Sequence, residues 1–393
     1  MEPGFSPLDE RLGLCPGSTL TPWLVDSIVR LGTRLPFSQV PDLVAHFTGV
    51  TVSAETVRRL TEQAGMAAVA VATAAVDRLE QTRPLPPPGP VVQQLSIDGA
   101  MAPLVGGVWA EVKTLALGTV TTGAGATPVT TALSYFSRLT DAETFGRLAT
   151  GELQRRGTST AGTVVAVTDG ATWCQGFIDL HRHDAVRVLD FAHALEHLGQ
   201  VAQAVFGSGT EGASAWLGVQ AHALRHGREE AVLAALTALA NVPERADESR
   251  RLLLGTHAYL ANWRDHIRYA DFVAAGYPIG SGCVESANKL VVEARLKGAG
   301  MHWARANVNP MLALRTLAAN ARWTEDWPAI WDRLRHPPRN PIPAAPPLVA
   351  ALVPVPPAPI VPDPPPAPRP KTIIDGKPTA DHPWRQSSPV RAK

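Results

Sequence analysis

Apolar residues recur at helical spacing from residue 19 to about residue 80, and the punctuation inside that stretch is specific. A helix is expected around residues 38–47, then a Thr48-Gly49-Val50 turn, then a helix capped by Ser53 and running through Gln63. That is helix-turn-helix spacing. The second helix carries Thr56, Arg58, Arg59 and Glu62, side chains of the kind that enter a major groove, although two helices packed without nucleic acid share the same rhythm. The run RPLPPPGP, residues 83–90, ends the helical region and reads as a linker. Beyond it the period becomes that of strands. VVQQLSIDGAM predicts a strand ending at Asp98, residues 108–120 a second, and residues 134–139 a third, before a helix over 142–156 with Phe145, Leu148 and Leu153 on one side. Residues 164–168 and 186–189 are continuous apolar runs, as in strands buried on both faces, and they end at Asp169 and Asp190. Antiparallel strands followed by strand-helix-strand units are the layout of an RNase H-like α/β domain. From His193 to about Ala275 the pattern is helical almost throughout, which predicts an all-helical insertion.

After the insertion comes GYPIGSGCVESANKLVVEARLKGAGMHW, residues 276–303. Gly280, Ser281 and Gly282 form a flexible lead-in, and Val284, Ala287, Val291 and Ala294 then make an apolar stripe with Glu285, Lys289 and Glu293 opposite it. Glu285 falls in the first turn, where an acid is sterically open and favoured by the helix dipole. The plan is therefore an amino-terminal helical DNA-binding region (1–82), a Pro-rich linker (83–90), an RNase H-like catalytic domain (91–335) with a helical insertion at about 195–275, and a tail (336–393). The tail holds more than half of the 36 prolines and too few apolar side chains for a core, so it is expected to be disordered.

Composition narrows the function. The chain has 393 residues, 45% of them hydrophobic, and a net charge of +1, so any polyanion must meet a local patch rather than a global excess. Such a patch exists: Lys289, Arg295, Lys297, Arg305, Arg315 and Arg322 face one acid, Glu293, with His302 and Trp303 placed among them to stack on bases. Cys15, Cys174 and Cys283 are widely spaced and form no CxxC pair, which argues against a disulfide framework and a zinc ribbon. No apolar run approaches bilayer length and no signal-peptide pattern opens the chain, so a cytoplasmic protein is expected, with no membrane partner.

Asp98 and Asp169 stand where two central strands are expected to end, the position at which open α/β sheets bind ligands, and Glu285 follows on a helix. Three carboxylates with substrate phosphates suit Mg²⁺, and two such ions can clamp an in-line phosphoryl displacement. Each Asp precedes a Gly, so either pair taken alone also reads as a turn.

LSIDGAM, WAEVKT, SYFSRL, ELQRRG, VTDGATW, VRVLDFAHALEHL and GSGCVESANKLVVEARLKGAGMHW together resemble the DDE transposases of the ISKra group of bacterial insertion sequences, relatives of the Mutator-like transposases, over nearly all of residues 7–323. Relatives often carry a Cys-rich segment upstream, where this chain starts at PGFSPLDERLGL. The resemblance implies a metal triad of Asp98, Asp169 and Glu285 holding two Mg²⁺, with Mn²⁺ able to substitute, and an accessory Asp190-x-x-His193 element. It implies metal-dependent strand cleavage and strand transfer at the ends of the element. Arg58 and Arg59 would read terminal inverted repeats, while Lys289, Arg295, Lys297, Trp303 and Arg305 would contact double-stranded DNA, in a homodimer or larger assembly associated with the bacterial nucleoid. Two other readings remain. His193-Ala194-Leu195-Glu196-His197 matches the HxxEH pattern of a zinc peptidase, with Glu244 or Glu248 as third ligand. A DNA-binding protein without catalysis would need the triad broken, and in the sequence it is whole.

Overall fold

The architecture described is that of a computed structural model of the chain, covering residues 11–15, 18–122, 128–243, 246–337, 373–374 and 377–378. Three helices lead: α1 (Pro22–Arg34), α2 (Val40–Thr48) and α3 (Ala54–Thr82). Thr21 caps α1, Gly49 ends α2 in the left-handed conformation, and Ser53 accepts a hydrogen bond from the Thr56 N–H at the start of α3. The helix-turn-helix punctuation is therefore in place, but α3 runs 29 residues, well past Gln63.

The sheet is mixed. Strands β1 (Val92–Pro103), β2 (Trp109–Thr122), β3 (Pro128–Arg138), β4 (Thr163–Thr168) and β5 (Val186–Leu189) lie in the order β3-β2-β1-β4-β5, with β1, β2 and β3 antiparallel in sequence and β4 parallel to both β1 and β5. Helix α4 (Ala142–Arg155) joins β3 to β4 and α5 (Thr172–Arg182) joins β4 to β5. In β4 every position from Val164 to Val167 is buried, and alternate residues serve different cores: Val164 and Ala166 meet α4 and α5, while Val165 and Val167 meet the insertion. The insertion comprises α6 (Phe191–Phe206), α7 (Glu211–Arg225), α8 (Glu229–Ala240), α9 (Asp247–Asn262) and α10 (Tyr269–Ala274). It begins directly after Asp190, a few residues earlier than the spacing predicts.

The chain then returns across the face of β1 and β2 opposite α4 and α5, as α11 (Gly282–Ala287), a π turn (Asn288–Glu293) and the short α12 (Ala294–Leu296). Helices α13 (Arg305–Ala319) and α14 (Trp323–Arg335) follow. Leu314, Trp323 and Ile330 of these last helices share one core with Ile28, Val40 and Leu60 of α1 to α3. Residues 1–337 accordingly form one compact unit, and the helices before the linker are not set apart from the α/β part. Within the expected tail, Ile373–Ile374 and Lys377–Pro378 pair as two short antiparallel strands. The rest of that tail lies outside the described residues.

Candidate active site

Asp98 does not close β1. The strand runs on to Pro103, paired with β2 the whole way, because β2 offers a continuous partner from Trp109 to Thr119. Pairing with β4, however, stops at Leu95 opposite Ala166. Asp98 and Asp169 each stand three residues beyond that last pair, so the register brings them level where the sheet opens between β1 and β4. Asp169-Gly170 makes the turn into α5, and Gly170 (φ +84) tolerates the left-handed conformation with the Trp263 ring packed against it. Gly99 serves a different need: a Cβ there would fall 2.3 Å from Glu111 Oε1.

Glu285 reaches this opening through a polar seam. Gln94, Ser96 and Asp98 alternate along one face of β1, and the returning segment is bonded to them: Gln94 Nε2 donates to the Gly280 carbonyl (2.9 Å), and Asn288 Nδ2 donates to Asp98 Oδ2 (2.8 Å). Asp98 Oδ1 accepts from the Gly99 N–H at 2.7 Å. Its carboxyl is pushed up to about 6 by burial and by the charges of Asp169 and Glu285, against the pull of the Gly99 and Asn288 donors. Asp98 thus feels an acid 187 positions away in sequence, while Glu285 itself is exposed. Among the described residues no three His, Cys, Asp or Glu side chains draw close enough to hold a metal ion as they stand. The donor chemistry nonetheless fits a hard cation, since all three are carboxylates and the charges that raise Asp98 are what a divalent ion would offset.

Asp190 is buried and structural. It caps α6 through the Ala192 N–H (3.0 Å) and accepts a hydrogen bond from Ser281, tying the Gly-Ser-Gly loop to the end of β5. His193 lies half-buried on α6 with its Nδ1 3.4 Å from Glu196. His197, one turn on, stacks against Tyr259 at 4.3 Å, and the Tyr259 hydroxyl donates to the Asp169 carbonyl at 2.9 Å. The histidines of the HxxEH pattern therefore pack on the aromatic residue that steadies Asp169. Glu196 and Glu248 are exposed, and Glu244 lies outside the described residues. Burial lowers His197, His193 adds to that and Glu196 opposes it.

Several expected DNA contacts are not on the surface. Arg295 is 3% exposed, lies against the rings of Phe37 and Trp303, and donates to the Gly32 carbonyl of α1. Trp303 is buried and its backbone bridges to Pro103 and Val105, so it extends the end of β1 instead of offering a ring to bases. Arg315 is buried beneath α1, donating to the Thr33, Val291 and Leu290 carbonyls, and Arg322 grips Glu152 through both nitrogens. Packing of α1 on the carboxyl-terminal segment covers Arg295 and Arg315, while β1 takes up Trp303 and α4 supplies the acid that engages Arg322. Lys289 and Arg305 remain exposed, and Lys297 pairs with Glu293 at 2.7 Å. On α3, Arg59 is exposed, whereas Arg58 is held by Glu55 and Glu62. Sequence reasoning missed Asn288, Tyr259 and Glu111; the Gln94-Ser96-Asp98 alternation was the one signal pointing toward the seam.

Comparison with known proteins finds no family model and no curated protein that matches the chain. No helix among the described residues is long and apolar enough to cross a membrane.

Proposed function

We propose that this chain is a DDE transposase, cutting and joining DNA at the ends of an insertion sequence, with an RNase H-like core interrupted by a helical insertion. The observation that carries the reading is the convergence of Asp169 and Glu285 on the partly buried carboxyl of Asp98, at the open edge between β1 and β4. The strand order β3-β2-β1-β4-β5, with one antiparallel strand between two parallel neighbours, supports the fold assignment. Asp98, Asp169 and Glu285 would hold two Mg²⁺, or Mn²⁺ in their place, and the bound ions would supply Lewis-acid activation of water or of a 3′-hydroxyl for in-line attack at phosphorus.

The remaining parts belong to the protein. Asn288 orients Asp98, and Tyr259 fixes the backbone that carries Asp169. Lys289, Arg305 and Arg59, exposed and free of the ion pairs that engage their neighbours Lys297 and Arg58, neutralise phosphates of duplex DNA. Two ends must be held together, so a dimer or larger assembly on DNA is expected.

The test is nicking of a labelled fragment that carries the DNA flanking this reading frame, in Mg²⁺ or Mn²⁺. Glu285→Gln is expected to lose nicking by about a hundredfold or more while retaining gel-shift binding. Glu196→Gln is expected to nick like the parent chain. Undiminished nicking by Glu285→Gln would remove that residue from the site, and zinc-dependent peptide cleavage abolished by Glu196→Gln would favour the peptidase.

A further inference from the structure

Away from the acids, a cavity of about 460 Å³ lies where α3, β3, α4, α13 and α14 meet. Its body is aliphatic: Ala72, Ala75 and Leu79 of α3, Leu148 of α4, Leu317 of α13 and Ile330 of α14. A space of this size, apolar with a few polar groups, is what small-molecule sites have in common. Two polar side chains in its wall are incompletely matched. Arg138, the last residue of β3, is 4% exposed, and one nitrogen donates to the carbonyl of its neighbour Ser137 while the guanidinium lies 4.7 Å from the Phe136 ring centre. No Asp or Glu pairs with it, and burial alone lowers it to about 10. The acid in the cavity wall nearest in kind, Glu152, is already held at both oxygens by Arg322. Thr316 of α13 presents a buried hydroxyl oxygen with no hydrogen-bond partner.

These two groups belong to one strip. Asn309 and Asn320 of α13 clamp the backbone of Leu139 and Tyr135, and Arg138 and Thr316 fall between the clamps on their respective elements. Asn320 spends its amide on Tyr135, so the buried polar groups of the wall with capacity left are the Arg138 guanidinium and the Thr316 hydroxyl, while Arg78 and Arg155 stand exposed at its rim. A guanidinium buried without a counter-charge is unfavourable, and a planar carboxylate is its bidentate match. A phosphate dianion would ask for a second buried cation, and the other cations of the wall do not offer one: Arg322 is held by Glu152, Arg155 is exposed and paired with Glu325 and Asp326, and Arg78 is exposed. Arg295, equally without an acid, differs in that Phe37 and Trp303 both lie against it.

We propose that this cavity binds a linear alkyl monocarboxylate, its head on Arg138 and the Thr316 hydroxyl and its chain along the methyl-lined face of α3. The proposal does not depend on the transposase reading. Calorimetry and thermal unfolding of the full chain with hexanoate, octanoate and decanoate, beside the corresponding alcohols, test it. A carboxylate is expected to bind and to raise the unfolding temperature, with its alcohol about tenfold weaker or worse. Arg138→Met is expected to lose the preference for carboxylate over alcohol and, having shed an unpaired buried charge, to unfold no earlier than the parent chain without ligand. Ala75→Leu, which fills the cavity, is expected to lose both ligands. Vesicles of phosphatidylglycerol, which offer the acyl chain without a free carboxylate, are expected not to bind. The proposal is overturned if no carboxylate binds, if alcohols bind as well as acids, if Ala75→Leu binds like the parent chain, or if only the vesicles bind.

Discussion

The two halves of the segment from Gly282 to Leu296 obey different rules. In α11 the buried residues are Cys283, Val284 and Ala287 and the exposed acid is Glu285, as ordinary helical spacing requires. The π turn at Asn288–Glu293 then adds a residue to one turn, rotating everything beyond it by about 100°. Ala294, expected inside, faces solvent, while Val292 and Leu296 are fully buried. Arg295 disappears for another reason, since α1 and Phe37 cover it. A period read from sequence therefore holds only while the helix type stays constant, and a charged side chain is a surface residue only if no distant element packs over it. Wide turns of this kind recur at functional sites, and here the turn begins at Asn288, the residue bonded to Asp98.

The strongest break of this comparison is at Arg295. Arg295→Ala leaves a void between Phe37, Trp303 and α1, and is expected to cost about 2–4 kcal/mol in urea unfolding, whereas Arg295→Met, which keeps the volume, is expected to cost under about 1.5 kcal/mol. Equal costs would show that charge, not packing, holds that half. The first half is sharpened through Asp98. Its carboxyl is raised from 3.8 to about 6, so the folded protein prefers it protonated: stability is fully present below about pH 4 and falls as pH rises through about 6. Asp98→Asn escapes that loss, and the amide of Asn288, whose oxygen has no partner, can turn to accept from it. A gain of about 1–2 kcal/mol at pH 8, discounted for the solvent that still reaches this carboxyl and vanishing below about pH 4, is expected in pH-dependent denaturation. The smallest stability effect belongs to Lys289→Ala, within about 0.5 kcal/mol, although it should lower the salt slope of DNA binding by about one. An unchanged slope would take Lys289 off the DNA surface.

Local pattern carried much of this protein. The Ser53 cap, the Gly49 turn and the buried run at β4 are encoded by neighbours in sequence, because caps, turns and pleats depend on a few adjacent residues, whereas β5, expected to be buried on both faces like β4, is an edge strand buried only at Val188 and Leu189. Asp98, Asp169 and Glu285 could be named as candidates because each follows or interrupts a recognisable element. The extension of β1 past Asp98 was not legible, since a strand continues as long as a partner offers hydrogen bonds, and that partner, β2, is chosen by the sheet. Nor were the roles of Asn288 and Tyr259, polar and aromatic residues whose meaning comes from what lies opposite them.

The sequence by itself determined most of the elements and their order along the chain, and it named the three acids as candidates, all products of short-range periodicity and chain order. Only the tertiary structure decided that α1 to α3 join the carboxyl-terminal helices in one unit, that Arg295, Arg315 and Trp303 are interior, and that the charges of Asp169 and Glu285 bear on Asp98. Those outcomes depend on which surfaces bury each other across a hundred or more residues, a choice made by the summed packing of whole elements and invisible in any one stretch of chain.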